Sequence, residues 1–170
     1  MITFFKTRYI IARPPGAVYH FLSDFRHYFD QLPEFHGAQL STDDAPVAPG
    51  KRFIMRTDNE SHEYETHVCM LRMEEPTLIE YEYTYRHREA DGEHSPMPWQ
   101  KARVTMQLQP YEDGTQVNAE MHVFGVQGFF ARWKVSALKT ACARAQKVAN
   151  DSMVRVAERA IPDASEAVQI

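Results

Sequence analysis

The chain has 170 residues, of which 44% are hydrophobic and 25% are charged, and its formal net charge is −4. This length fits one domain, and the composition is ordinary for a globular protein. The negative balance argues against a nucleic-acid partner, because binding along a phosphate backbone requires clustered positive charge.

The remaining composition narrows the class further. Cys69 and Cys142 lie in apolar contexts and predict no disulfide framework. No apolar run is long enough to span a bilayer, so the sequence predicts no integral membrane association. These features favour a cytoplasmic protein that is a monomer or a homodimer.

The first third of the chain predicts one strand and two short helices. Residues 3–12 are rich in Phe, Tyr, Ile and Thr, which is typical of a strand. Pro14 and Pro15 can start a helix, because the first turn needs no N–H from proline. A second short helix is predicted from Phe25 to Leu32, where Pro33 ends it.

Six further strands are predicted downstream, and turn residues separate most of them. They lie near residues 35–43, 51–58, 62–74, 77–88, 99–109 and 115–124. The polar segment 89–98 predicts a loop. In the fourth of these strands Ile79, Tyr81, Tyr83 and Tyr85 alternate with polar residues, which indicates a sheet with one buried face.

A long helix is predicted over residues 128–161, with Pro162 closing it. Apolar residues recur at spacings of three and four and predict its buried side: Phe130, Trp133, Ala137, Leu138, Ala141, Cys142, Ala145, Val148, Ala149, Val156 and Ala160. The other side carries basic residues with Asp151 and Glu158 and is interpreted as a solvated face. Because the apolar side changes from aromatic residues to alanine, we expect space beneath the helix.

Two segments carry a resemblance to a known family. IIARPPGAVYHFLSDFRHYFDQLP at 10–33 and YEDGTQV at 111–117, with the order of elements, resemble the START-like (SRPBCC) superfamily, and most closely its polyketide cyclase/dehydrase and lipid-transport group. The resemblance implies an α+β helix-grip fold, in which a curved antiparallel sheet of about seven strands surrounds the long C-terminal helix. It also implies one START-like domain over residues 1–162, with 163–170 as a tail.

Motifs for catalysis or metal binding are missing from the sequence. It contains no dinucleotide, phosphate-loop or nucleophile-elbow pattern. His62 and His67 lie on one predicted strand but five residues apart, so their side chains point to opposite faces and predict no shared metal ion. No cofactor and no metal are therefore predicted, and the catalytic residues, if any, are unassigned.

The sheet face and the helix together predict an apolar cavity that holds a hydrophobic small molecule such as a lipid, polyketide or aromatic compound. We expect its wall to include Phe53, Met55, Tyr81, Tyr83, Tyr85, Val104, Met106, Met121, Phe130, Trp133, Ala137, Ala141 and Ala145. The protein would then be a carrier or sensor. Two alternatives remain: a cyclase, aromatase or dehydratase, and an interaction protein resembling a chaperone cofactor.

Overall fold

Within the residues that the structure describes, the fold consists of seven strands, two α-helices and three 3-10 turns. A computed structural model describes residues 1–59, 62–87 and 97–163, so most of the loop predicted at 89–98 lies outside the described residues. Helix α1 is Pro15–Ser23 and helix α2 is Gly128–Ala160. The strands are β1 Ile2–Ile11, β2 Ala38–Ser41, β3 Arg52–Asn59, β4 His62–Glu74, β5 Leu78–His87, β6 Lys101–Tyr111 and β7 Gly114–Phe124.

The strands form one curved antiparallel sheet in the order β1-β7-β6-β5-β4-β3-β2. Most neighbours in the sheet are also neighbours along the chain, as short connections require; the exception is β1, which pairs with β7 at one edge. Tyr81 pairs with Val104, and both side chains are buried. The predicted α+β helix-grip fold is confirmed.

The second short helix predicted from Phe25 to Leu32 is present as a series of 3-10 turns and not as one continuous element. The turns lie at Phe25–His27, Phe29–Gln31 and Pro33–Phe35. Asp24 caps the first turn, and Leu32 is extended before Pro33, as a residue preceding proline prefers. Phe25, Tyr28, Phe29 and Leu32 are buried and Phe35 is partly buried, so the turns close one end of the sheet.

Asp24 is the titratable residue that caps the first of these turns. Its buried carboxylate accepts hydrogen bonds from the Arg26 backbone N–H at 3.0 Å and from the Arg26 guanidinium. Burial alone would raise the pKa of Asp24, but the bonds and charge of Arg26 outweigh it and hold the pKa below its ordinary value.

We expect Asp24→Asn to lower the free energy of unfolding by about 1 kcal/mol at neutral pH. Because the folded pKa is depressed, this contribution is present above the unfolded pKa of about 3.9 and is lost as pH falls through the folded pKa. Urea denaturation at several pH values should therefore show the two proteins converging in acid. A constant gap from pH 7 to acid would contradict the assignment.

The turn at residues 111–117 brings the end of β1 against the start of β7. A Cβ added to Gly114 would lie 2.5 Å from the carbonyl oxygen of Ile11. The buried hydroxyl of Thr115 donates a 2.7 Å hydrogen bond to the carbonyl oxygen of Arg13. Gly114 therefore allows the two backbones to approach closely, and Thr115 stabilises the contact with a hydrogen bond.

We expect Gly114→Ala to destabilise the protein by about 1–3 kcal/mol, because the methyl group would overlap backbone atoms that have little freedom to move. Thermal unfolding measures the effect. Gly16→Ala is the matched control, since a Cβ at Gly16 meets nothing within 4 Å and that position is helical. Equal melting temperatures for the Gly114→Ala variant and the wild type would contradict this, and would show that β1 and β7 can move apart at Gly114 without loss of stability.

Helix α2 is held firmly at its C-terminal end. The Arg13 side chain donates hydrogen bonds to the carbonyl oxygens of Glu158 and Ile161, the latter at 2.6 Å. The Glu158 carboxylate in turn accepts from the backbone N–H of Ala12 at 2.9 Å. Val156 and Ala157 are buried beside these contacts. The beginning of the chain thus clamps the last turns of the long helix.

The first half of α2 does not bury the side that the sequence predicted. Phe130 is 80% exposed and Trp133 is 64% exposed, and Ala137, Ala141 and Cys142 are also exposed. Trp133 and Cys142 are nine residues apart, which at about 100° per residue places them on opposite sides of the helix. The apolar residues therefore form two stripes, and the prediction combined them into one.

The stripe that faces the sheet contains Val135, Leu138, Cys142, Gln146, Ala149, Met153 and Val156. Val135 is 1% exposed, whereas Leu138 is only half-buried and packs at the edge of the core. Neither α2 nor α1 is long and apolar enough to cross a membrane in the described part of the chain.

Candidate functional site

A cavity of about 380 Å³ lies between the sheet, α2 and the 3-10 turns. Its wall is mainly apolar and draws on every layer of the fold. The lining residues are Phe4, Phe5, Thr7, Tyr9, Leu22, Phe25, Tyr28, Leu32, Phe35, Tyr81, Tyr83, Val104, Met106, Ala119, Met121, Cys142, Ala145, Gln146, Ala149, Asn150 and Met153. Such a space suits the carbon skeleton of a small ligand.

Three polar side chains interrupt this wall where β1 faces α2, and we call them the polar trio: Thr7, Gln146 and Asn150. The Asn150 amide donates to the Thr7 hydroxyl at 2.5 Å. The Gln146 amide donates to the Asn150 carbonyl oxygen at 3.1 Å. The trio is only partly buried, and the Gln146 carbonyl oxygen and the Thr7 hydroxyl proton remain to bond a ligand.

Phenol groups supply the other polarity in the wall. Tyr83 donates to the Tyr81 hydroxyl at 3.5 Å, a long distance for such a bond, and Tyr28 donates to the Leu22 carbonyl oxygen at 3.3 Å. Burial is the main cause that raises the pKa of Tyr81, and the hydrogen bond from Tyr83 lowers it only partly. Burial also raises the pKa of Tyr9. The phenols of Tyr9 and Tyr81 therefore stay protonated at neutral pH and cannot act as bases there.

A cleft of about 420 Å³ adjoins the cavity between β1 and α2. Cleft and cavity share the polar trio, Tyr9, Cys142 and the rings of Phe4 and Phe5. The cleft's outer rim is mostly basic and consists of Lys6, Arg8, Lys139, Lys147 and Asp151. Of these, Lys6 is paired with Glu120 at 2.8 Å. Through the residues that they share, the cleft and the cavity are contiguous.

The structure separates the predicted site residues into three groups. Those that line the cavity are Tyr81, Tyr83, Val104, Met106, Met121 and Ala145. Those that lie in the sheet away from it are Phe53, Met55 and Tyr85. Those that are exposed on the outer side of α2 are Phe130, Trp133, Ala137 and Ala141. Their predicted place in the cavity wall is therefore wrong for the second and third groups.

Phe53 shows why a residue on the correct sheet face can still miss the cavity. It is completely buried, and its ring centroid lies 5.0 Å from that of Phe25. Phe25 itself lines the cavity, whereas Phe53 does not. The 3-10 turns fill the part of the sheet face where Phe53 lies, so that residue belongs to the solid core.

The sequence interpretation missed the contribution of β1 and of the polar positions on α2. Alternation along β1 places Thr7 and Tyr9 on one side, with Lys6 and Arg8 on the other, and this signal was present in the sequence. Gln146 and Asn150 are one helical turn apart, but polar residues do not mark a buried stripe. Only the fold brings them to Thr7.

The chemistry of the described wall is restricted to hydrogen bonding and apolar contact. Its side chains include amides, phenols, one hydroxyl and one thiol, and within the described residues the cavity is lined by no carboxylate, histidine or basic group. Among residues 1–59, 62–87 and 97–163, no group of three His, Cys, Asp or Glu side chains is placed to hold a metal ion. His67 instead lies 3.0 Å from the Glu65 carboxylate.

Several solved structures share this fold. A protein from Staphylococcus epidermidis superposes with a TM-score of 0.65 at 13% identity, over 94% of this chain and 92% of that one. A protein from Arthrobacter aurescens superposes with a TM-score of 0.62 at 10% identity, over 92% of this chain and 84% of that one. Ara h 8.0201 gives 0.61 at 11% identity, over 92% and 95%. Identities this low establish similarity of fold alone.

No curated protein matches the sequence. A family match is nevertheless clear, because residues 12–149 fit the family described as activator of Hsp90 ATPase homolog 1-like protein. That family is a member of the START-like superfamily, so the predicted superfamily is confirmed, and the superfamily is known for binding hydrophobic ligands. The match covers most of the chain, which therefore belongs to the activator of Hsp90 ATPase homolog 1-like family.

Proposed function

We propose that this protein binds a hydrophobic small molecule with one uncharged polar end, as a carrier or sensor. A lipid, a polyketide or an aromatic compound fits this description. The observation that carries the proposal is the polar trio set in an otherwise apolar cavity wall. The apolar part of the ligand would fill the cavity, and its polar end would bond to the trio near the cleft.

The size and lining of the cavity support this function. Ligand sites of small molecules commonly have volumes of about 300–1,000 Å³ with mostly apolar walls, and a volume of about 380 Å³ lies within that range. Met106, Met121 and Met153 lie in the wall. Methionine adapts its shape easily, which favours tolerance toward several related ligands.

The same wall favours binding over acid–base catalysis. A general base must accept a proton near neutral pH, and the phenols of Tyr9 and Tyr81 have raised pKa values and remain protonated. The amides of Gln146 and Asn150 neither gain nor lose protons in that range. Within the described wall, these groups can orient a ligand without changing its protonation.

Titration with the uncharged fluorescent probe N-phenyl-1-naphthylamine tests the function. We expect saturable binding to the wild type and displacement by a long-chain alcohol. Asn150→Leu should lower the affinity for the alcohol by about five- to tenfold, which is the effect of one lost hydrogen bond. The affinity for the probe should change little. Thr140→Val is the control, because it removes a hydroxyl that donates only to a carbonyl oxygen of the same helix. It should change neither the alcohol affinity nor the probe affinity. Failure of the probe to saturate the wild type would refute the proposal.

A further inference from the structure

The charges of α2 are segregated along its length. From Gly128 to Asn150 the helix carries five basic residues and no acidic residue, although the whole chain has a net charge of −4. Acidic residues begin only at Asp151, and beyond that point the helix has equal numbers of both signs. The solvated face predicted from mixed charges therefore describes only the last third of the helix. The preceding part is a basic segment.

Large apolar side chains lie on this same segment and are exposed. Phe129, Phe130 and Trp133 are 79%, 80% and 64% exposed. Phe129 and Phe130 contact each other edge to face, with centroids 6.0 Å apart. Scattered apolar residues on a surface are normal, but adjacent exposed aromatic rings mark an interaction site.

The exposed apolar residues continue along one side of the helix. Phe130, Trp133, Ala137, Ala141 and Val148 recur at spacings that place them on the side opposite the sheet, and we call them the outer stripe. Arg144 and Lys147 are exposed on the same side. The first half of α2 is thus an amphipathic helix whose second apolar side is not covered by the sheet.

We propose that the outer stripe and its basic residues dock the protein on the surface of an anionic lipid bilayer. Tryptophan and phenylalanine rings enter the boundary between head groups and acyl chains, and lysine and arginine attract anionic head groups.

The charge pattern decides between a bilayer and a second copy of the chain. Two copies that paired through the outer stripe about a two-fold axis would bring like patches together, and both patches would be basic. Such contacts are repulsive. An anionic bilayer instead complements both the charge and the exposed rings. The proposal stands on the outside of α2 and does not depend on the identity of the ligand in the cavity.

Co-sedimentation of the purified protein with vesicles tests the docking. We expect binding to phosphatidylcholine vesicles that contain phosphatidylserine, little binding to phosphatidylcholine alone, and release by salt. Arg144→Glu should weaken binding at least fivefold, since each basic residue contributes about that factor near an anionic surface. Arg159→Glu is the matched control, because it reverses an exposed charge on the same helix beyond the basic segment, and it should bind nearly as the wild type does.

Tryptophan fluorescence reports the contact directly. The chain has two tryptophans, and Trp99 is buried whereas Trp133 is exposed. Vesicles should shift the emission of the wild type to shorter wavelength, and Trp133→Phe should remove that shift. Absence of binding to the anionic vesicles, equal loss with Arg144→Glu and Arg159→Glu, or a salt-independent interaction would each overturn the proposal. A concentration-dependent dimer that Trp133→Ser dissolves would assign the surface to a second copy instead.

Discussion

Replacing Ala149 with tryptophan is expected to abolish detectable binding of N-phenyl-1-naphthylamine. Ala149 lies on the α2 side of the cavity, across from the sheet residues Met106 and Met121. An indole added there occupies a large part of a space of only about 380 Å³. Because the indole would occupy space that the probe needs, affinity should fall at least tenfold.

Ala141→Trp is the control for this substitution. Ala141 lies on the same helix, two turns earlier, but is exposed on the outer side and does not line the cavity. Probe affinity should therefore stay within about twofold of the wild type. Both variants are compared at equal free energy of unfolding, since a loosened core binds such probes nonspecifically. Equal affinities for the two variants would place the probe outside the cavity.

Replacing Phe53 with alanine is expected to cost about 3–5 kcal/mol of stability. Phe53 is fully buried on β3 and packs against the ring of Phe25. The phenyl group therefore leaves a hole that neighbouring residues of the sheet cannot fill by small movements. Urea denaturation measures the loss as a lower midpoint at an unchanged slope.

Phe130→Ala is the matched control, because the same chemical change occurs at a residue that is 80% exposed. Its effect should lie within about 0.5 kcal/mol of zero. The two residues appeared equivalent from sequence, since both were predicted to line the cavity, and this pair of measurements distinguishes them. A loss below about 1 kcal/mol for Phe53→Ala would move that residue from the core to a wall that tolerates empty space.

The sheet was predictable because side chains of a strand alternate between its buried and its exposed face. Tyr81 and Val104 were each placed on a buried face by local alternation, and they pair in the structure. Turn residues such as Gly114 fixed where strands end, because their conformations are restricted locally. Both signals lie within short stretches of sequence and do not depend on distant contacts.

The helix side was harder to predict because alanine suits several environments. Ala137 and Ala149 have the same side chain, yet the first is exposed and the second lines the cavity. Phe130 and Trp133 were assigned to the cavity wall because their spacing continues the apolar side of the helix. The local sequence does not distinguish an apolar helix side that is buried from one that is exposed.

The polar trio illustrates a different limit. Thr7 and Asn150 are 143 residues apart in sequence. They meet only because β7 pairs with β1 at the sheet edge and α2 follows β7 along the chain. Pairing at this edge depends on the whole topology. The polar end of the candidate site therefore could not be read from any single segment, whereas Tyr81, Met106 and Met121 could.

The Arg13 clamp at the end of α2 has a consequence for how the molecule opens. With Arg13, Val156 and Ala157 fixing one end and exposed rings at the other, amide hydrogens along the helix should exchange with solvent at graded rates. Those near Val156 should exchange only on global unfolding, and those before Val135 through local fraying. Opening of this kind would free the first turns of the helix and leave the sheet intact.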